Sequence, residues 1–216
     1  MINIENMVKK SSPWRHFIFN KMFNDIDEIV DLSAILLPTP EDIISDPKRY
    51  NLKREASSIS DNNHSCELDI DPSITESNIT AKKLVEYFLT DGKNWLEKIG
   101  SLLLSKSTFL RVQLVRDVNG YYIEPHTDKS NKKVTIICHL NDTVNTGTQF
   151  LDRNLKICHR SGSLKNNGLL FFPNYAPYVK TYHAMIDTPI MENNRDTLMV
   201  NYYSSRHVST GFLWEL

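Results

Sequence analysis

The sequence predicts a mainly β fold with flanking helices and a jelly-roll core. From residue 109 onward the apolar residues stop recurring at helical spacing and begin to alternate, the period of a half-buried strand. Eight short runs rich in β-branched and aromatic residues follow, at 109–117, 121–126, 133–140, 148–151, 155–160, 168–173, 177–185 and 196–204, separated by turn residues; eight strands are what a jelly roll requires. At 216 residues and 40% hydrophobic content, the chain suffices for one sizeable core and is short for two. It reads as a single domain over 1–216, with a strand, helices and a polar lid candidate in 1–100 and the core in 101–216.

The elements before the core follow from local signals. Residues 13–20, PWRHFIFN, read as a short strand. Asn24 is placed to cap a helix whose Ile26, Ile29 and Val30 recur at helical spacing before Pro38 and Pro40 stop it. Residues 41–76 are polar, rich in Ser, Asp and Asn, and without sustained period, so they read as a loop or lid. A second helical stretch covers 77–99, with Leu84, Val85, Phe88 and Leu89 on one side, an interruption at Gly92, and Gly100 as its stop.

Composition excludes several classes. A net charge of −1 and a pI near 6.7 provide no electrostatic footprint for a phosphate backbone, so no nucleic-acid partner is expected. The pairs Lys9-Lys10, Lys82-Lys83 and Lys132-Lys133 read as solvated faces, only the last lying near enough to the candidate site to meet an acidic substrate. Cys66, Cys138 and Cys158 are odd in number and spaced for neither a disulfide framework nor a Cys-x-x-Cys metal pair. No apolar stretch approaches the roughly 18 residues of a spanning helix, and MINIENMVKKSS has no signal-like apolar region. The expectation is a cytoplasmic protein without a membrane partner, its oligomeric state left open.

The chemistry concentrates in His126, Asp128, His183 and Arg195. A His and a carboxylate two apart project to one side of an extended segment, and a second His from a distant strand completes a two-His-one-carboxylate set that leaves three positions open on an iron ion. His183 alone, alternating with Val179, Thr181 and Met185, reads as a buried structural histidine; its conjunction with the other residues gives the ligand reading. Arg195 and Thr197 are also two apart, so guanidinium and hydroxyl share a face and can grip a carboxylate. Arg111 and Gln113 share a face of the first core strand with Arg116 at its end, and structural ion pairs are the expectation there. Tyr121 or Tyr122 is placed to line the pocket mouth. Cys158 and His159 are adjacent in a strand and point apart, which excludes a nucleophilic pair.

The segments carrying these residues, FLRVQLVRDVNGYYIEPHTD, KKVTIICHLND, GTQFL, GLLFFPNYAPYVKTYHAM and RDTLMVNYYS, resemble in order the iron(II)- and 2-oxoglutarate-dependent oxygenase superfamily, in its compact prolyl-hydroxylase-like branch. The resemblance implies a double-stranded β-helix of the cupin-like kind, with His126 and Asp128 from an early core strand and His183 from a late one as metal ligands. It implies Fe(II), with 2-oxoglutarate and dioxygen as cosubstrates. Arg195 would hold the distal carboxylate of 2-oxoglutarate with Thr197, and His139 would stand where the family often has an aromatic residue touching the cosubstrate. The carboxylate at 128 argues against the family's halogenating members. The implied reaction is hydroxylation of an unactivated C–H bond of a small molecule or peptidyl residue, with release of succinate and carbon dioxide.

Two other classes stay open at this point: a cupin-like metal enzyme without 2-oxoglutarate, for which Arg195 is structural, and a non-catalytic binding module with the same fold.

Overall fold

The computed structural model describes residues 2–50, 65–100, 108–118, 121–144, 146–173, 180–186, 194–206 and 211–216. After a 3-10 turn at Ile4–Asn6, β1 (Met7–Lys10) and β2 (His16–Phe19) form an antiparallel pair. Helix α1 (Ile26–Leu36) buries Ile26, Ile29, Leu32 and Ser33, the three-and-four spacing of one helical face. Helix α2 (Pro40–Ser45) starts in a capping box, Thr39 Oγ1 accepting from Asp42 N at 3.2 Å while Asp42 Oδ2 accepts from Thr39 N. The short α3 (Pro47–Tyr50), β3 (Ser65–Asp69) and α4 (Pro72–Ser77) follow. Then come α5 (Ile79–Leu89), whose first turn is capped by Asn78 Oδ1, and α6 (Asp91–Gly100).

The core strands are β4 (Phe109–Asp117), β5 (Ile123–His126), β6 (Lys132–His139), β7 (Gln149–Leu151), β8 (Ile157–Arg160), β9 (Gly168–Phe171), β10 (His183–Met185) and β11 (Arg195–Tyr203), with a terminal β12 (Trp214–Glu215). They divide between two sheets. The larger runs β1-β2-β9-β6-β11-β4-β12 with β3 also on β4, and the smaller runs β5-β10-β7-β8. All pairings are antiparallel.

Alternation along the larger sheet separates two environments. Leu110, Val112, Leu114, Val134, Ile136, Cys138, Leu170, Leu198, Val200 and Tyr202 are packed with Ile29, Leu32, Leu84, Val85 and Phe88 of the helices. Tyr202 Oη also donates to Phe88 O at 2.5 Å, satisfying a carbonyl in the last turn of α5. The intervening residues Arg111, Gln113, Asp117, Thr135, His139, Arg195, Thr197 and Asn201 form the opposite face and are buried although polar. A buried polar face needs partners or a ligand, so this face carries the chemistry.

All eight core runs read from the sequence become strands, shortened by a residue or more at several ends; residues 177–179 of the seventh lie outside the described residues. Three other readings change. Helix α1 is preceded by Asp25 in the cap position instead of Asn24, and Asp25 makes no side-chain cap bond. The break in the second helical stretch falls at Thr90, not at Gly92, which is buried within α6. The polar stretch 41–76 contains α2, α3, β3 and the start of α4, so it is not one structureless lid; residues 51–64 lie outside the described residues. The physical reason is visible in β3. Ser65, Glu67 and Asp69 are polar because they pair with Asp117, Gln113 and Arg111 of β4, not because they are solvated.

Candidate metal and cosubstrate site

His126 and His183 are direct partners across the β5-β10 ladder, so their rings lie on one side of the smaller sheet, 4.3 Å apart between centroids. Each ring is fixed by the backbone carbonyl two residues before it: Nδ1 of His126 lies 2.8 Å from Glu124 O, and Nδ1 of His183 lies 2.9 Å from Thr181 O. Carbonyl partners put the proton on Nδ1 and leave the Nε2 lone pair for a metal. Burial keeps His183 neutral, lowering its pKa to about 4.

Asp128 lies beyond the end of β5, so its placement does not come from strand alternation. It is drawn in by β6. Lys132 Nζ donates to its Oδ1 at 2.7 Å and Thr135 Oγ1 to its Oδ2 at 3.2 Å. His183 Nε2 stands 3.9 Å from the same Oδ2. Burial opposes the charge on Asp128, but the Lys132 ammonium, then His183, outweigh it and the carboxyl settles at about 2. Ligand atoms of His126, Asp128 and His183 all lie within 4.8 Å of one another, the one such group among the described residues. Two imidazoles with Nε2 directed inward and one ionised carboxylate suit a divalent transition metal and leave further positions open.

The other candidate residues lie at the start of β11 and on its neighbours. Thr197 is the cross-strand partner of His139, and Arg195 the partner of Asp117. Thr197 Oγ1 and His139 Nδ1 are buried and have no hydrogen-bond partner among the described residues. Burial above all, with help from Arg195, lowers the His139 pKa to about 3, so the ring is neutral. Arg195 is only 5% exposed. It donates through Nε to Asp117 Oδ2 at 2.9 Å and again through Nη2, and through Nη1 to Thr146 O at 3.0 Å and to Met185 Sδ. The Tyr121 ring lies 5.9 Å from its guanidinium carbon. A guanidinium beside two unpartnered buried polar atoms fits a small anion with several acceptors.

The remaining candidates are structural. Arg111 pairs with Asp69 at 2.7 Å, Gln113 donates to Glu67 at 3.0 Å, and Arg116 grips Asp196 and Pro38 O, as expected for ion pairs and hydrogen bonds within the sheet. Cys158 is exposed while His159 stacks on Phe150, so the two do point apart. Two residues escaped the sequence. Lys132, read there as part of a solvated pair, is on the Asp128 carboxylate. Asp117, the last residue of β4 and 0% exposed, holds Arg195 and accepts from Ser65 Oγ at 2.6 Å. The polar residues alternating along β4 were the available signal, since each required a partner on a neighbouring strand.

Compared by sequence, the chain matches no protein-family model and no curated protein. Compared by structure, it is similar to several oxygenases. A prolyl hydroxylase from Trichoplax adhaerens, in complex with a hypoxia inducible factor oxygen degradation domain peptide fragment, aligns at TM-score 0.57 and 13% identity, over 91% of this chain and 87% of that one. A 2OG-Fe(II) oxygenase family protein from Caulobacter crescentus aligns at 0.55 and 13%, over 88% and 77%. The viral collagen prolyl hydroxylase of Paramecium bursaria Chlorella virus-1 aligns at 0.54 and 14%, over 88% and 90%. The fold is therefore shared with compact prolyl hydroxylases and 2OG-Fe(II) oxygenases. No helix among the described residues is long and apolar enough to cross a membrane.

Proposed function

We propose that the chain is a single-domain, iron(II)- and 2-oxoglutarate-dependent dioxygenase that hydroxylates an unactivated C–H bond of a small molecule or peptidyl residue. The alternation of core strands between two antiparallel sheets is read as a double-stranded β-helix, and three free thiols fit a cytoplasmic setting. The observation that carries the reading is the convergence of His126, Asp128 and His183, on the same interior that holds Arg195 with the unpartnered Thr197 and His139 atoms. Iron bound there would activate dioxygen, the four-electron oxidant, with two electrons coming from oxidative decarboxylation of 2-oxoglutarate to succinate and two from the substrate C–H bond.

The chain's own groups do the remainder. His126 and His183 present Nε2 atoms from directly paired strands. Lys132 and Thr135 hold the Asp128 carboxylate by both oxygens, fixing its orientation before the metal arrives. Arg195, Thr197 and His139 would receive the distal carboxylate of the cosubstrate. The Phe171 ring, 5.1 Å from that of His183, and the buried Tyr121 line the interior with aromatic surface that would limit access of water to a bound metal. The peptide in the Trichoplax structure supports keeping a peptidyl residue among the substrate classes.

One observation favours a second reading. Arg195 is already ion-paired with buried Asp117, as in a metal enzyme that uses no 2-oxoglutarate and keeps Arg195 as a structural residue. Incubation of the iron-loaded chain with 2-oxoglutarate and oxygen separates the two. Succinate formed in proportion to oxygen consumed supports the first reading; oxygen consumption on a panel of amino acids, peptides and phenols with no succinate supports the second.

A further inference from the structure

Four of the five N–H groups of Arg195 are directed at neighbours: two at Asp117, one at the Thr146 carbonyl and one at the Met185 sulfur. Asp117 is 0% exposed and held from its other side by Ser65. Guanidinium and carboxylate together sum to zero charge, and both are buried, so solvent screens them little. An anion arriving at Arg195 therefore meets a second anion already bound to the same group. Two carboxylates on one guanidinium lie within several ångströms of each other, where like charges in a low-dielectric interior repel strongly.

Resting on the assignment of Arg195 to the cosubstrate, we propose that Asp117 is a specificity-determining residue that holds down affinity for a dicarboxylate 2-oxo acid and narrows its advantage over an uncharged-tail analogue. The unpartnered Thr197 hydroxyl and neutral His139 ring fit this division of labour. They offer hydrogen bonds without adding charge, so recognition of the distal end rests on geometry more than on net attraction. A weakly held dicarboxylate also leaves easily, which suits release of succinate after each turnover.

The test is Asp117→Asn. An amide keeps the shape, its oxygen can still accept from Arg195, and its NH2 can donate to the Ser65 hydroxyl, which accepts as readily as it donates. Binding is measured by anaerobic calorimetry on the Fe(II)-loaded chain with 2-oxoglutarate and with 2-oxopentanoate, the same length but ending in a methyl group. The expected result is 2-oxoglutarate bound about tenfold tighter or more by Asp117→Asn, with 2-oxopentanoate unchanged. An equal shift for both acids, no shift, or weaker binding of 2-oxoglutarate overturns the proposal.

If Asp117→Asn does not fold, the parent chain decides. An unopposed buried charge contact at the distal end gives an advantage of at least about thirtyfold for 2-oxoglutarate over 2-oxopentanoate; a smaller ratio supports the role of Asp117 and a larger one overturns it. Failure of the metal-loaded parent to bind 2-oxoglutarate at all overturns the cosubstrate assignment itself, a result distinguishable from binding that is indifferent to position 117.

Discussion

Lys132 Nζ lies 2.7 Å from Asp128 Oδ1, and side-chain exposure is 15% for the lysine and 9% for the aspartate. A cation thus stands in for part of the charge that a bound metal would supply. Without it Asp128 would be an ionised group among His126, His183 and buried neighbours, with only Thr135 to solvate it.

Lys132→Met should therefore destabilise the metal-free chain by about 3 kcal/mol, the cost of an uncompensated buried charge. Adding Mn(II) should restore most of that loss, so the metal-induced rise in melting temperature should be larger in the variant than in the parent. Thermal unfolding with and without the ion checks this, and equal metal-free melting temperatures would show that Lys132 does not compensate Asp128.

Arg195 and Asp117 should behave as one unit. Arg195→Ala leaves Asp117 buried without its guanidinium, at a cost of about 3 to 5 kcal/mol. The double variant Arg195→Ala, Asp117→Ala removes both charges and should be more stable than Arg195→Ala alone. Urea unfolding of the parent, both single variants and the double variant gives the coupling directly; additive losses would mean that the ion pair contributes nothing.

His139 should impose a pH dependence. Its pKa falls from 6.5 unfolded to about 3 folded because burial disfavours the charged ring. Between those values the unfolded chain binds the proton and the folded chain does not. The contribution is full above about pH 6.5 and is lost as pH falls toward about 3. His139→Asn should flatten the stability curve of the metal-free chain between about pH 6 and pH 4 by about 1.4 kcal/mol per pH unit. Parallel curves for parent and variant would show that the ring is charged in the folded state.

What the sequence revealed, and what it hid, follows from the range of each interaction. The eight core strands were legible because their alternation records one apolar face, as in Leu110, Val112 and Leu114 of β4. His126, Asp128, His183, Arg195 and Thr197 were legible as residue types at suggestive spacings. The direct pairing of His126 with His183 was not, since register across 57 positions (183 − 126) depends on the intervening strands and not on local propensity. Strand β3 was hidden because Ser65, Glu67 and Asp69 look like loop residues until Asp117, Gln113 and Arg111 are seen beside them. Lys132 was hidden for the same reason: a lysine reads as solvated unless the carboxylate it meets is known.

His126, Asp128 and His183 are proposed to form one metal site. Anaerobic titration of Fe(II) into the purified chain, followed by calorimetry and repeated for His183→Ala, tests it most directly. One tightly bound ion per chain is expected in the parent and loss of tight binding in His183→Ala, with the fold retained as judged by circular dichroism. Iron bound by His183→Ala as tightly as by the parent would contradict it.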